Sequence, residues 1–253
     1  MNTKGKNPSV KVGDTGTNKK GTRFVVIKYE NAFKVRIKFL DEHCFEKTTY
    51  AESVRKGSID NPYDKTQCGI GYLGEGKYKT SEHGKPTLAH ISWSSMMKRS
   101  YSECSRKTSP SYDDVTVCDD WHCFDTYAEW FYQQKGWDKG FQLDKDILGK
   151  GVRVYSPETC CLVPREINTA VKYGYVNEKG LLAGVSISST GKFIASLNIK
   201  KKKTHVGVYD TQEEASAAYV EAKERYVKNK ALEWANRIEW EAFVSLMNWT
   251  VYP

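Results

Sequence analysis

The apolar residues of this chain come in short runs whose period changes repeatedly, so several small cores are expected rather than one continuous interior. Val25-Val26-Ile27 is typical of the runs, and nothing approaches the roughly 18 consecutive apolar residues of a membrane span. Period two comes first. Phe24 to Tyr29 and Phe33 to Phe39 flank a short Glu30-Asn31 turn, and Val35, Ile37 and Phe39 alternate with Lys34, Arg36 and Lys38. Alternation of this kind puts one set on a core and leaves the other on an exposed basic face. Phe45 to Tyr50 and Ala51 to Arg55 extend the pattern as further short strands.

Helical spacing then takes over. Trp93, Met96, Met97, Ser100 and Tyr101 share one helix face, as do Phe124, Tyr127, Ala128 and Phe131. Between them, Val115 to Cys118 predicts a short strand. Phe141 to Leu148 predicts a strand running into the Gly149-Lys150-Gly151 turn, and Ser156-Pro157-Glu158 a helix start. Further on, Gly184-Val185, Phe193 to Ile199 and Thr204 to Tyr209 predict three strands. A helix follows, opened by a capping box at Thr211 and Glu214 and buried through Ala215, Ala218, Tyr219, Ala222 and Tyr226. Leu232 to Trp249 predicts a last amphipathic helix.

Charge is distributed unevenly. Residues 1–60 carry 13 Lys/Arg against 7 Asp/Glu, residues 88–170 carry 10 against 12, and residues 171–253 carry 12 against 9. Basic ends around a mildly acidic middle suit a polyanion held at both ends. The first twenty residues lack an apolar leader segment, so a cytoplasmic location is expected, with no membrane partner. Seven cysteines outside a secreted frame are expected to be free thiols.

The stretch Gly69 to Gly74 spells G-x-G-x-x-G, but a dinucleotide site needs a helix directly after it. Glu75 to Lys79 predicts turn and strand instead, so a Gly-rich hairpin is the better account. Cys118, His122 and Cys123 with Cys160-Cys161 lack a paired Cys-x-x-Cys, which argues against zinc. His90 and His122 are more readily structural than catalytic, and the Asn248-Trp249-Thr250 sequon has no use in a cytoplasmic chain.

Two family resemblances emerge. Gly191-Lys192-Phe193, Val206 to Thr211 and Glu213-Glu214-Ala215 resemble the ethylene-response-factor (APETALA-type) DNA-binding domain over about 50 residues. The resemblance implies a three-stranded antiparallel sheet backed by one helix, with the sheet in the major groove. Phe193, Ala195, Leu197 and Ile199 would face the helix. Lys192, Ile194, Ser196 and Asn198, with Lys203 and His205 of the next strand, would face out. On the family pattern the outward positions are Ala183, Ser186, Ser188, Thr190, Asn198, Lys203 and His205. Arg–guanine readout is therefore largely absent, while Asn198 suits adenine and Lys200, Lys201, Lys202 and Lys203 suit phosphates.

The middle of the chain is similar to phage-encoded HNH endonucleases through Trp93 to Tyr101, Val117 to Trp121, Phe141 to Asp146 and Tyr155 to Cys160. That family folds as a β-hairpin and helix around one divalent ion, Mg²⁺ or a relative. By position, Asp144 matches the metal-binding Asp, Lys145 stands in the place of the general-base His, and Thr159 in the place of the metal-binding Asn. Asn168 matches an Asn that follows the helix, and Asp146 or Glu158 could add an oxygen ligand. A lysine at its ordinary pKa of about 10.4 is a poor base, so Lys145 is expected to stabilise developing charge.

The resulting expectation is an α+β protein. It has a mobile basic tail (1–20), a basic β-module (21–60), a Gly-rich linker or hairpin (61–87), an HNH-like core (88–172), an ethylene-response-factor-type domain (173–230) and a C-terminal helix (231–253). The expected partner is double-stranded DNA, contacted by Lys34, Arg36 and Lys38 at one end and by Ser186, Ser188, Lys192, Asn198, Lys200 to Lys203 and His205 at the other. A monomer is expected. The expected activity is metal-dependent cleavage of DNA, and the alternative is a DNA-binding protein descended from such a nuclease. RNA is disfavoured, because the aromatics fall on core positions and not on an outward stacking platform.

Overall fold

A computed structural model describes residues 9–108, 114–172, 180–199 and 202–251. The protein is α+β with several small sheets, and its packing divides it into two compact units. The first comprises residues 1–79 and 122–126, the second residues 80–121 and 127–253.

The first unit is built on an antiparallel meander of β1 (Thr15–Thr17), β2 (Arg23–Asn31), β3 (Lys34–Phe39) and β4 (Glu46–Thr49), followed by helix α1 (Ala51–Lys56). Val35, Ile37 and Phe39 are fully buried with Phe24, Val26 and Ala51, as the alternation requires. Two expectations fail here. Val10 joins this core and Thr15 to Thr17 pair with β2, so the tail expected over 1–20 is ordered in its second half. Residues 1–8 lie outside the described residues. Ala51 to Arg55 is helical, because Glu52 pairs with Lys56 one turn on and Gly57, at φ +59°, closes the helix.

The Gly-rich segment forms a tight turn with a bridge between Gln67 and Gly71, and Tyr72 then pairs with Cys123. The backbone amides of Gly76, Lys77 and Tyr78 all donate to the Asp125 carboxylate.

In the second unit, hairpin β5 (Ser81–Glu82) and β6 (Lys85–Pro86) leads into α2 (Leu88–Tyr101), capped by the Thr87 hydroxyl, and a short α3 (Glu103–Thr108). Trp93, Met96, Met97 and Ser100 of α2 are buried. Then come β7 (Thr116–Val117), α4 (Phe124–Gln133, its residues 127–133 in this unit), β8 (Gln142–Asp144), α5 (Asp146–Gly149), β9 (Val154–Tyr155), β10 (Cys161–Val163) and α6 (Arg165–Ala170). The expected strand over 141–148 stops at Asp144. Its Oδ1 accepts the amide protons of Asp146 and Ile147 and so starts a helical turn. Ser156 starts no helix. Residues 161–163 pair with β8, and the helix begins only after Pro164. The strand just before Ser156 runs parallel to β7, not back along β8.

The third sheet is β11 (Val185–Ile187), β12 (Phe193–Ile199) and β13 (Lys202–Tyr209), an antiparallel meander backed by α7 (Gln212–Trp234). Val185, Ala195 and Leu197 pack on Ala215 and Tyr219, and the capping box at Thr211 and Glu214 forms in both directions. The helix expected to start at Leu232 is instead the end of α7. A separate α8 (Trp240–Met247) follows after a break. Val227 and Ala231 of α7, with Ala242 and Leu246 of α8, close a core over Ile147, Cys161, Val163 and Ile167. The boundary expected at 230 therefore falls inside one helix.

Gly184 lets the chain entering the sheet pass close to Tyr219 of α7. Its φ is +75°, and a Cβ there would lie 2.1 Å from the Tyr219 ring. Gly184→Ala combines backbone strain with a clash in a packed core. It should lower stability by about 2–4 kcal/mol in chemical denaturation, whereas Gly191→Ala, where a Cβ meets open space, meets no clash.

Candidate active site in the central hairpin and helix

Strands β8 and β10 pair in the register Asp144–Cys161 and Val163–Gln142, and α6 leaves directly from β10. This compact ββα unit carries a small cleft of about 120 Å³, lined by Asp144, Lys145, Asp146 and Asn168 together with Arg99, Tyr155 and Lys172. Four of the six residues singled out from sequence for catalysis or metal binding thus share one cleft.

Asp144 is only 7% exposed. Its Oδ1 is committed to the two amides of α5, and among the described residues no hydrogen bond reaches its Oδ2. Burial raises its pKa above the ordinary 3.8, with the nearby Asp146 charge pushing the same way and the two amide hydrogen bonds opposing. Lys145 is largely buried and ion-paired to Asp146, whose own side chain is mostly exposed. Asn168 stands on α6, and its Nδ2 donates to Gln142 Oε1 at 3.1 Å. Its Oδ1 is left without a donor among the described residues.

Thr159 is not part of this group. Its Oγ1 donates to Val154 O at 2.7 Å and accepts from Ser156 N at 3.0 Å, so the hydroxyl closes the loop before β10. The expectation of Thr159 as a metal ligand is corrected on that ground. The asparagine carried by the helix of the unit is Asn168. Glu158 is also absent from the described lining of the cleft.

The sequence reading missed Arg99, Tyr155 and Lys172. The Arg99 guanidinium lies 5.5 Å from the centre of the Tyr155 ring, and its Nε donates to Ser95 O at 3.3 Å. Position on α2 gave no signal, because a charged residue off the buried stripe is the ordinary case on an amphipathic helix.

The residues fit a divalent cation by type. Asp144 Oδ2, Asp146 and Asn168 Oδ1 are hard oxygen donors, and Asp144 Oδ2 is uncommitted on the wall of the cleft. Among the described residues no three His, Cys, Asp or Glu side chains gather as a metal-holding group. Cys160 and Cys161 are buried thiols. Burial pushes Cys160 up to about 12 and Cys161 well above the usual thiol range.

The expected DNA-contacting residues divide more sharply. Lys34 is paired with Glu30 and Arg36 with Glu46, each at 2.8 Å, and Lys38 is half-buried opposite Glu46. The charge of that face is thereby largely neutralised, and Lys28 and Lys34 together hold the Glu30 carboxyl down at about 2. On the C-terminal sheet, Lys192 is paired with Asp210, and the Ser188 hydroxyl accepts from Lys192 N within a turn that also holds Thr190. Ala183 packs against the core and does not face out. Asn198 lies across from Lys203 and Ser196 from His205, with Ser186 across from Ile194. Lys202, Lys203, Asn198 and His205 are exposed, and the two lysines make no ion pair among the described residues. Lys200 and Lys201 lie outside the described residues.

No protein-family model, curated protein or solved structure matches the chain. Among the described residues no helix is long and apolar enough to cross a membrane.

The cleft makes a stability prediction without reference to substrate. Asp144 holds its proton more tightly folded than unfolded. The wild type therefore loses stability as pH rises from about 3.8 through the higher folded pKa. Asparagine keeps the acceptor for the two α5 amides and does not titrate. Asp144→Asn should therefore be more stable than wild type above that window. The gain should be absent below it, in melts run in EDTA across pH.

Proposed function

We propose that the protein is a metal-dependent DNA endonuclease whose hydrolytic site is the cleft of the central ββα unit. The observation that carries this reading is the gathering of Asp144, Asp146 and Asn168 oxygens on one hairpin-and-helix, ringed by Arg99, Lys145 and Lys172. Hydrolysis forms a bond from a water oxygen to phosphorus and breaks the bond to one deoxyribose oxygen. A divalent cation, when bound, supplies Lewis-acid polarisation of the phosphate. Asp144 Oδ2 would hold that cation, with Asp146 and Asn168 Oδ1 beside it. Arg99 and Lys172 place positive charge where the phosphate group becomes more negative. Lys145 holds Asp146 and adds a third cation to the cleft.

The outward face of the β11–β13 sheet is proposed to hold duplex DNA, in line with the resemblance of this segment. Asn198 and Lys203 are adjacent across the strands, a hydrogen-bonding group beside a phosphate-neutralising one. The shortage of arginine on this face points to anchoring with modest sequence selectivity. The basic face of β3 is proposed as the weaker contact, because its charges are already paired.

A second reading, DNA binding without cleavage, is favoured by one observation. Among the described residues lining the cleft there is no histidine to take a proton from water.

Purified protein incubated with supercoiled DNA in Mg²⁺ should nick or linearise it, and EDTA should prevent this. Asp144→Ala should lower the rate about 100-fold or more while leaving a salt-sensitive gel shift. DNA intact in every lane with the shift preserved selects the second reading. For the sheet, Lys203→Ala should reduce the slope of log affinity against log salt by about 1. An unchanged slope would remove this face from the DNA contact.

A further inference from the structure

Helix α2 has two faces, and its core uses only one of them. Ala89, Trp93, Met96, Met97 and Ser100 are buried. Leu88, Ile91, Ser92, Ser95 and Arg99 recur at positions i, i+3, i+4, i+7 and i+11, which is a second helical stripe. That stripe forms one wall of a groove of about 470 Å³, and Phe131, Phe141 and Gln142 contribute to the other side. The groove runs into the cleft of the ββα unit: Arg99, Leu143, Asn168 and Lys172 line both.

The groove is graded along its length. Its far end is apolar, with Leu88 and Ile91 42% and 48% exposed. The two lie one turn apart on the same helix face, so they form a single small apolar surface at this end of the groove. The middle carries the hydroxyls of Ser92 and Ser95, the former sharing a 2.6 Å hydrogen bond with the Tyr127 hydroxyl. The cleft end carries two cations, Arg99 and Lys172. By helix rise, Leu88 and Arg99 are about 16 Å apart.

We propose that this groove is a nucleoside subsite. Arg99 and Lys172 grip a phosphate at its junction with the cleft, and the apolar end takes the sugar and unstacked base of the adjoining nucleotide. The assignment rests on the hydrolytic reading only for what lies next door. The groove's own claim is the binding of a nucleotide with a free base face. Charge at one end and apolar walls at the other match a nucleotide, whose phosphate is anionic and whose base presents a flat apolar surface. A base can reach Leu88 and Ile91 only when it is out of a helical stack, so the subsite favours a frayed, mismatched or flipped position beside the scissile phosphate. The volume is within the range of about 300–1,000 Å³ typical of small-ligand sites.

The test titrates full-length protein with deoxythymidine 3′,5′-bisphosphate in EDTA, following backbone amide shifts by NMR. Shifts should fall on α2 from Leu88 to Arg99 and on Gln142 and Asn168. Arg99→Gln should weaken binding about tenfold or more. Ile91→Glu, at an exposed position where folding is not at stake, should do the same by placing an anion in the base-binding end. Leu232→Glu, exposed on α7, should bind as wild type does. Undiminished affinity in Ile91→Glu, or shifts confined to another surface, overturns the subsite. Binding that Ile91→Glu abolishes, in a protein that leaves plasmid DNA intact in Mg²⁺, supports the subsite and overturns the hydrolytic reading alone.

Discussion

One helix serves two cores. The first half of α7 packs Ala215 and Tyr219 on the C-terminal sheet, and its second half packs Val227 and Ala231 on the ββα unit, with Tyr226 reaching both clusters. Lys230 fixes the second contact. Its side chain is 8% exposed, and its ammonium is held by Glu233 on α7 and by Glu166 on α6, the latter at 3.2 Å. The Glu233 hydrogen bond, followed by that of Glu166, raises the Lys230 pKa, so the charge persists across the neutral range and is lost only at alkaline pH. Glu166 stands two residues before Asn168. The ion pair that docks α7 therefore also seats the short helix on which the cleft asparagine stands. Without α7, a six-residue helix has too few intrinsic contacts to hold that position.

This arrangement explains which parts of the fold were legible in the sequence. Lys34 to Phe39, read by strict alternation, has the expected face buried; Phe193 to Ile199 buries Ala195 and Leu197 and half-buries Phe193 and Ile199; and the capping box at Thr211 is where the residues place it. Each of these is a local signal confirmed by local geometry. The failures are places where a partner distant in sequence decides. Ser156-Pro157-Glu158 has every mark of a helix start, but residues 161–163 are needed as the partner of β8, so the helix waits for Pro164. Likewise nothing in Leu232 to Trp249 shows that α7 runs on to Trp234, because its length is set by the core that it covers. The cleft was legible to the same degree. Asp144, Lys145, Asp146 and Asn168 came together. Thr159 did not, because its placement followed from the misplaced helix start.

Asp144 shows how one side chain can combine two tasks that conflict. Its Oδ1 organises the turn that ends β8, which is a structural role and accounts for its position between a strand and a helix. That same anchoring draws most of the carboxyl group out of water, so its charge is disfavoured, while its other oxygen is uncommitted in a residue that lines the cleft. A purely structural cap at this position would be served as well by asparagine, without the cost of a buried acid.

The two stripes of α2 carry the same logic to the surface. A helix that only supports a core needs one apolar face, and its remaining positions are free to be charged. In α2 the remaining positions are ordered: apolar residues at the start, hydroxyls in the middle and an arginine at the end nearest the cleft. Periodicity alone picks out Trp93, Met96 and Met97, because large residues dominate any hydrophobic count. The second stripe is quieter, since serines carry no hydropathy signal and Leu88 and Ile91 alone do not define a face. It becomes visible only when the helix is seen beside β8 and α6, where the unexplained positions of one element and the chemistry of another share the same groove.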